Sequence, residues 1–94
     1  PDVDKVAFTG GTATGSRIME LASKQLKKVT LELGGKSPAI FFNDCNLDLA
    51  VDWGLFATFA GTGQVCSAGT RLLVQEGVYE EFMKRYLAKI QNIK

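Results

Sequence analysis

Two residues in this chain combine reactive side chains with positions a fold could exploit. Cys66 follows Gly61-Thr62-Gly63-Gln64-Val65, and Glu32 stands at the end of an alternating stretch just ahead of Gly34-Gly35. A thiolate at Cys66 would serve as a nucleophile, but a free thiol with pKa near ~8.5 needs an electropositive pocket or a base to ionise at neutral pH. A carboxylate aimed into a cleft by a backbone bend would serve as a general base. Each residue also has a plainer reading. Most free cysteines behave as small buried hydrophobes, and a lone strand glutamate is usually a solvated carboxylate. The chain contains no histidine, so no Ser-His-Asp triad, Cys-His pair or His-ligated metal can be completed within it. Any base for Cys66 must be a residue like Glu32, a lysine, or a group outside these residues. Cys45, in the turn-like Asp44-Cys45-Asn46, reads as structural, and nothing in the sequence makes Arg71 catalytic.

A third feature is the turn Gly10-Gly11-Thr12-Ala13-Thr14-Gly15. Backbone N–H groups at a helix N-terminus, unobstructed by Cβ atoms, form a seat for phosphate. The spacing is neither that of a P-loop, which needs Lys and Ser/Thr after the last glycine where Ser16 and Arg17 stand, nor G-x-G-x-x-G. A plain glycine-rich strand-to-helix turn is the other reading.

The elements that would position these groups follow from the hydrophobic pattern. Lys5-Val6-Ala7-Phe8 reads as a buried strand, and Thr12 or Thr14 as the cap of a helix with Ile18, Leu21, Ala22 and Leu26 on its apolar stripe and Arg17, Glu20 and Lys24 on its polar face. From Lys28 the period becomes two: Val29, Leu31 and Leu33 point one way, Thr30 and Glu32 the other. After the break at Gly34–Pro38, Ala39–Phe42 reads as a buried strand and Asn43–Asn46 as a turn capping a helix over 47–60. That helix is apolar nearly all round, with Trp53, Phe56 and Phe59 as core and Asp48 and Asp52 as its wet edge, a pattern that belongs inside a large protein. Leu72-Leu73-Val74 reads as a strand. Residues 78–93 read as an amphipathic helix with Tyr79, Phe82, Met83, Tyr86 and Ile90 as its stripe and Glu80/Lys84 and Glu81/Arg85 as outward pairs. The order β-α-β then β-α-β-α predicts an α/β fold.

The 94 residues are 46% hydrophobic and 22% charged with net charge +1. That balance suits a soluble globular protein and argues against a chain held to nucleic acid by a basic face. Two cysteines in unlike settings, Cys45 and Cys66, make neither a zinc cluster nor a disulfide framework, which favours a reducing, cytoplasmic location. The longest uncharged stretch, Trp53 to Thr70, holds four glycines and three threonines, too polar for a bilayer span. The start at Pro1, with no initiator Met and no secretory signal, is expected of an excerpt from a longer chain.

Together these motifs resemble the aldehyde dehydrogenase superfamily. Leu31-Glu32-Leu33-Gly34-Gly35-Lys36-Ser37-Pro38 is similar to its glutamate signature, Phe59 through Gly63-Gln64-Val65-Cys66-Ser67-Ala68-Gly69 to its cysteine signature, and Phe8-Thr9-Gly10-Gly11-Thr12 to its cofactor loop. The resemblance runs across nearly the whole chain but covers a small central part of the family's length. It implies part of a Rossmann-like cofactor domain (residues 1–33) joined to the start of an α/β catalytic domain (residues 34–94), with Glu32 and Cys66 on opposite walls of one cleft. It further implies NAD or NADP held at Gly10, Gly11, Thr12, Ala13, Thr14, Gly15 and Leu33, no metal, and a small-molecule aldehyde as substrate. Cys66 would attack the carbonyl, and its own N–H would help to hold the oxyanion. Glu32 would activate the water that hydrolyses the thioester. The parent is expected to be a homo-oligomer without nucleic-acid or membrane partners. Two positions depart from the pattern: Gly11 stands where many members have serine, and Gly61 where many have asparagine. The alternatives are a CoA-acylating or acyl-phosphate-reducing relative, which Glu32 disfavours, a non-enzymatic binding or structural descendant, and an inactive excerpt.

Overall fold

A computed structural model describes residues 2–93. The chain forms two compact units, Pro1–Gly34 and Gly35–Lys94. In the first, Lys5–Thr9 forms β1, Thr12–Ser23 forms α1 and Lys28–Glu32 forms β2. β1 and β2 pair in parallel, with Lys5 opposite Lys28 and Thr9 opposite Glu32. Parallel neighbours need a crossover, and α1 supplies it. Val6, Phe8, Val29 and Leu31 are half-buried while Ala7, Thr30 and Glu32 are exposed, so each strand turns one side toward an apolar layer.

Two expectations for α1 fail. Neither Thr12 nor Thr14 caps it: the N-cap is Gly11, and no side chain caps the helix there. Leu26 is not on its stripe either. The helix ends at Ser23 because the chain closes a Schellman motif, with Lys27 N–H donating to the Ala22 carbonyl and Leu26 N–H to that of Ser23, both at 3.1 Å. The motif puts Leu26 in the left-handed region, φ +52°, and leaves it 92% exposed. A β-carbon there is a steric liability, and within these 94 residues the side chain buries almost nothing. Leu26→Gly in the intact protein is therefore expected to raise stability by about 0.5–1 kcal/mol, the relief of left-handed strain less glycine's extra freedom when unfolded. Denaturant midpoints check this; a lower midpoint refutes it.

The second unit comprises Pro38–Phe41 (β3), Leu47–Phe59 (α2), a tight 3-10 turn Ala60–Gly63, Arg71–Val74 (β4) and Glu76–Ile90 (α3). β3 and β4 are parallel, Pro38 opposite Arg71 and Phe41 opposite Val74. Asn46 caps α2 as expected of the turn before it, its side chain accepting the Leu49 N–H at 3.2 Å, and Asp48 in the first turn complements the helix dipole. Ala50, Val51, Phe82 and Tyr86 make the core, with Phe41, Leu72 and Val74 packed against it. Phe82 lies 4.9 Å from Phe41 and 5.6 Å from Tyr86, centroid to centroid.

Both helices cover that one face of β3–β4. The other carries Ile40 and Leu73, each more than half exposed within these 94 residues, with Phe42 just beyond the strand. α2 is likewise one-sided. Its small residues Ala50, Val51 and Gly54 face the core, because the Phe82 and Tyr86 rings fill the space beside them. Trp53 (64% exposed), Phe56 (62%) and Phe59 (39%), expected as core inside a larger protein, lie away from this core and are exposed within these 94 residues. Tyr79 also lies off the buried stripe of α3.

Asp48 and Asp52 do more than wet an edge of α2. Asp48 pairs with Arg85 at 2.6 Å and Asp52 with Lys89, tying α2 to α3. The expected Glu81/Arg85 pair forms at 2.7 Å, whereas Lys84 reaches Glu81 at 3.9 Å and not Glu80. The Arg85 hydrogen bond, then the charge of Lys84, hold the Glu81 carboxyl below its ordinary range. What this exposed pair adds to stability is small. It is present above the usual carboxylate pKa and disappears as pH falls through the lowered value. No helix among the described residues is long and apolar enough to cross a membrane.

Candidate active site

Cys66 occupies the tip of a four-residue turn, Val65–Ala68, closed by the Ala68 N–H donating to the Val65 carbonyl at 3.0 Å. The residue is exposed, its thiol is free, and its backbone N–H donates to no acceptor among the described residues. A thiol with an unused N–H beside it is the pairing a nucleophile with its own oxyanion donor requires. Cys45 contrasts with it: half-buried, it packs against the Ala50–Val51–Phe82–Tyr86 core, which is the structural role expected of it.

The approach to Cys66 is held by unusual backbone. Gly61, Thr62 and Gly63 are all left-handed, with φ of +57°, +57° and +73°. Glycine and asparagine tolerate this region best, so the glycine at 61 keeps the turn within easy reach of the backbone. Thr62 bears the strain, and its hydroxyl offsets part of it by donating to the Gly61 carbonyl at 2.6 Å and accepting from Gln64 Nε2 at 2.9 Å.

Beyond Cys66 the chain is pinned to its neighbours. Gly69 N–H donates to the Ala57 carbonyl in the last turn of α2 at 2.9 Å. Thr58 Oγ1 donates to the Gly69 carbonyl at 3.3 Å, and Tyr86 Oη to Thr58 Oγ1 at 3.5 Å. A Cβ on Gly69 would lie 3.1 Å from both Ala39 and Ala57. Ser37 N–H donates to the Ala68 carbonyl at 3.2 Å, and Arg71 N–H to that of Ser37 at 3.3 Å. Thr58, Ser37 and Tyr86 thus support the loop, and the sequence singles out none of them for it. A helix threonine and a loop serine carry no periodic signal, and Tyr86 stands out only as a core residue.

In the first unit, Glu32 ends β2 with its side chain exposed on the face it shares with Thr30. Its carbonyl accepts the Gly10 N–H at 3.0 Å, and among the described residues its carboxylate makes no ion pair. The Gly10–Gly15 turn opens α1. Gly15 N–H returns to the Gly11 carbonyl at 3.0 Å, while Thr12, Ala13 and Thr14 supply the first N–H groups of a helix with no side-chain cap. A Cβ on Gly11 would meet nothing within 4 Å, so the backbone faces open space where an anion can approach. That space would also admit a side chain the size of serine. Gly15 has a packing role: its Cβ would lie 2.7 Å from Leu33 Cδ2. The side chain of Leu33 is therefore committed to the packing between α1 and β2.

The Aldehyde dehydrogenase family matches residues 1–94. The chain is 55% identical to the chloroplastic betaine aldehyde dehydrogenase of Atriplex hortensis, over 100% of this chain and 19% of that protein. It is 53% identical to the peroxisomal aminoaldehyde dehydrogenase 2 of Pisum sativum, with the same coverage. A crystal structure of Staphylococcus aureus betaine aldehyde dehydrogenase in complex with NAD+ matches with a TM-score of 0.92 and 44% identity, over 98% of this chain and 18% of that one. The chain spans about a fifth of the length of the curated relatives it matches.

Proposed function

Because the chain belongs to the aldehyde dehydrogenase family, we propose that it is the segment of an NAD(P)-dependent aldehyde dehydrogenase that carries the nucleophile, the deacylating base and the phosphate seat. The observation that carries this reading is Cys66, exposed within these 94 residues at the tip of a pinned turn, with its own N–H unpaired among the described residues. The Cys66 thiolate adds to the aldehyde carbon, forming a C–S bond as the carbonyl π pair moves to oxygen. The Cys66 N–H donates to that oxygen. NAD(P)+, when bound, supplies the two-electron acceptor that converts the adduct to a thioester. Glu32 then takes a proton from water as the water oxygen attacks the thioester carbon, and the C–S bond breaks to return the Cys66 thiolate and release the acid.

The pyrophosphate is assigned to the N–H groups of Thr12, Ala13 and Thr14, with Gly10, Gly11 and Gly15 keeping the turn tight and open and the Leu33 backbone beside it. The uncapped helix terminus and the free space at Gly11 support that assignment. Two free cysteines favour a reducing compartment. We assign the cytoplasm, although the plant relatives carry chloroplastic and peroxisomal names.

The test is an assay of the full-length enzyme with aldehyde and NAD+ or NADP+. Reduced cofactor and free carboxylic acid are expected in equal amounts, with neither CoA nor phosphate needed. Activity that requires CoA or phosphate would favour the acyl-transferring relative. No turnover with any aldehyde would favour a binding descendant.

A further inference from the structure

The two glycines after Glu32 and Leu33 differ in what surrounds them. A Cβ on Gly34 would meet nothing within 4 Å, whereas one on Gly35 would lie 2.5 Å from the carbonyl oxygen of Cys66. Close carbon–oxygen contacts run at roughly 3.3–3.6 Å, so a methyl group at 35 requires a displacement on the order of 1 Å. The atom in the way is backbone, not the end of a flexible side chain. Two residues on, Ser37 N–H holds the Ala68 carbonyl at 3.2 Å. The Gly35–Ser37 segment thus lies along the Cys66 turn, with van der Waals contact at one end and a hydrogen bond at the other.

We infer that Gly35 is a positioning residue for Cys66: its missing side chain lets the Cys66 carbonyl sit against the segment, and this sets the orientation of the nucleophile's thiol and N–H. The inference rests on Cys66 being the nucleophile. A glycine is needed at 35 for space, since no left-handed φ is involved.

The experiment compares Gly35→Ala and Gly34→Ala in the full-length enzyme. It measures iodoacetamide alkylation of Cys66 resolved by peptide mass spectrometry, with Cys45 as internal reference, together with kcat and the KM for cofactor. A misplacement of this size slows reaction steeply, so Gly35→Ala is expected to lower both Cys66 alkylation and kcat by about tenfold or more, with Cys45 alkylation and the cofactor KM within about twofold of wild type. Gly34→Ala is expected to leave Cys66 alkylation within about twofold. Unchanged Cys66 alkylation and kcat in Gly35→Ala, or equal slowing in both variants, overturns the inference.

If Gly35→Ala does not accumulate as folded enzyme, Ser37→Pro takes its place. It removes the N–H to Ala68 while adding nothing at 35, and a fall of about threefold or more in Cys66 alkylation and kcat is expected, with the cofactor KM unchanged. No fall overturns the inference. Turnover surviving in Cys66→Ala would instead refute the nucleophile, whereas alkylation rates report the position of the thiol whatever its chemistry.

Discussion

Cys66→Ala in the full-length enzyme is expected to abolish both the pre-steady-state burst of reduced cofactor and steady-state turnover. The methyl side chain cannot form the C–S bond, so no adduct exists from which electrons could leave. Removing a nucleophile of this kind costs about a thousandfold or more in kcat. Cofactor binding is expected to survive, because the donors assigned to the phosphate belong to the Gly10–Gly15 turn and α1, in the other unit. The measurement is rapid-mixing absorbance of the reduced nicotinamide alongside cofactor titration. A retained burst would place the nucleophile elsewhere and leave Cys66 an exposed but idle thiol.

Glu32→Gln is expected to fail differently. The amide keeps the shape of the side chain and removes its basicity, so the water step loses its general base while thiol addition does not. Steady-state turnover is expected to fall by about 10²–10⁴-fold. The burst is expected to persist, and intact-mass spectrometry should find enzyme carrying one acyl group on Cys66. If burst and turnover fall together, Glu32 acts earlier, on the thiol. If both stay at wild-type level, Glu32 is an ordinary strand carboxylate, which its exposure at the end of β2 also allows.

Local pattern made much of the architecture legible. The period of two over Val29–Leu33 and the apolar runs at 5–8, 39–42 and 72–74 marked the strands to within a residue or two. The Asn43–Asn46 turn announced the cap of α2 because an Asx side chain accepts a helix N–H through contacts only three residues apart. The positions that local pattern left open depend on contacts it does not show. Leu26 satisfied the helical spacing, but a Schellman closure ended the helix three residues before it. Trp53 and Phe56 had the hydrophobicity of core residues, but which face of α2 meets α3 was assigned by the Phe82 and Tyr86 rings, which pack against Gly54 and leave no room there for a large side chain.

The candidate site divides along the same line. Sequence by itself determined which groups can do chemistry, since the absence of histidine, the thiol at 66, the carboxylate at 32 and the uncluttered turn at 10–15 are properties of residue type and order. Only the tertiary structure decided how the thiol is presented. The left-handed run at 61–63, the bonds from Ala57, Thr58 and Ser37, and the bare Gly35 beneath the Cys66 carbonyl together hold that turn in place. Sequence can show that 35 is a glycine; that it must be one depends on a carbonyl oxygen thirty-one residues further along. Such contacts between distant residues leave no periodic trace, because nothing in the local pattern of either segment changes when they meet.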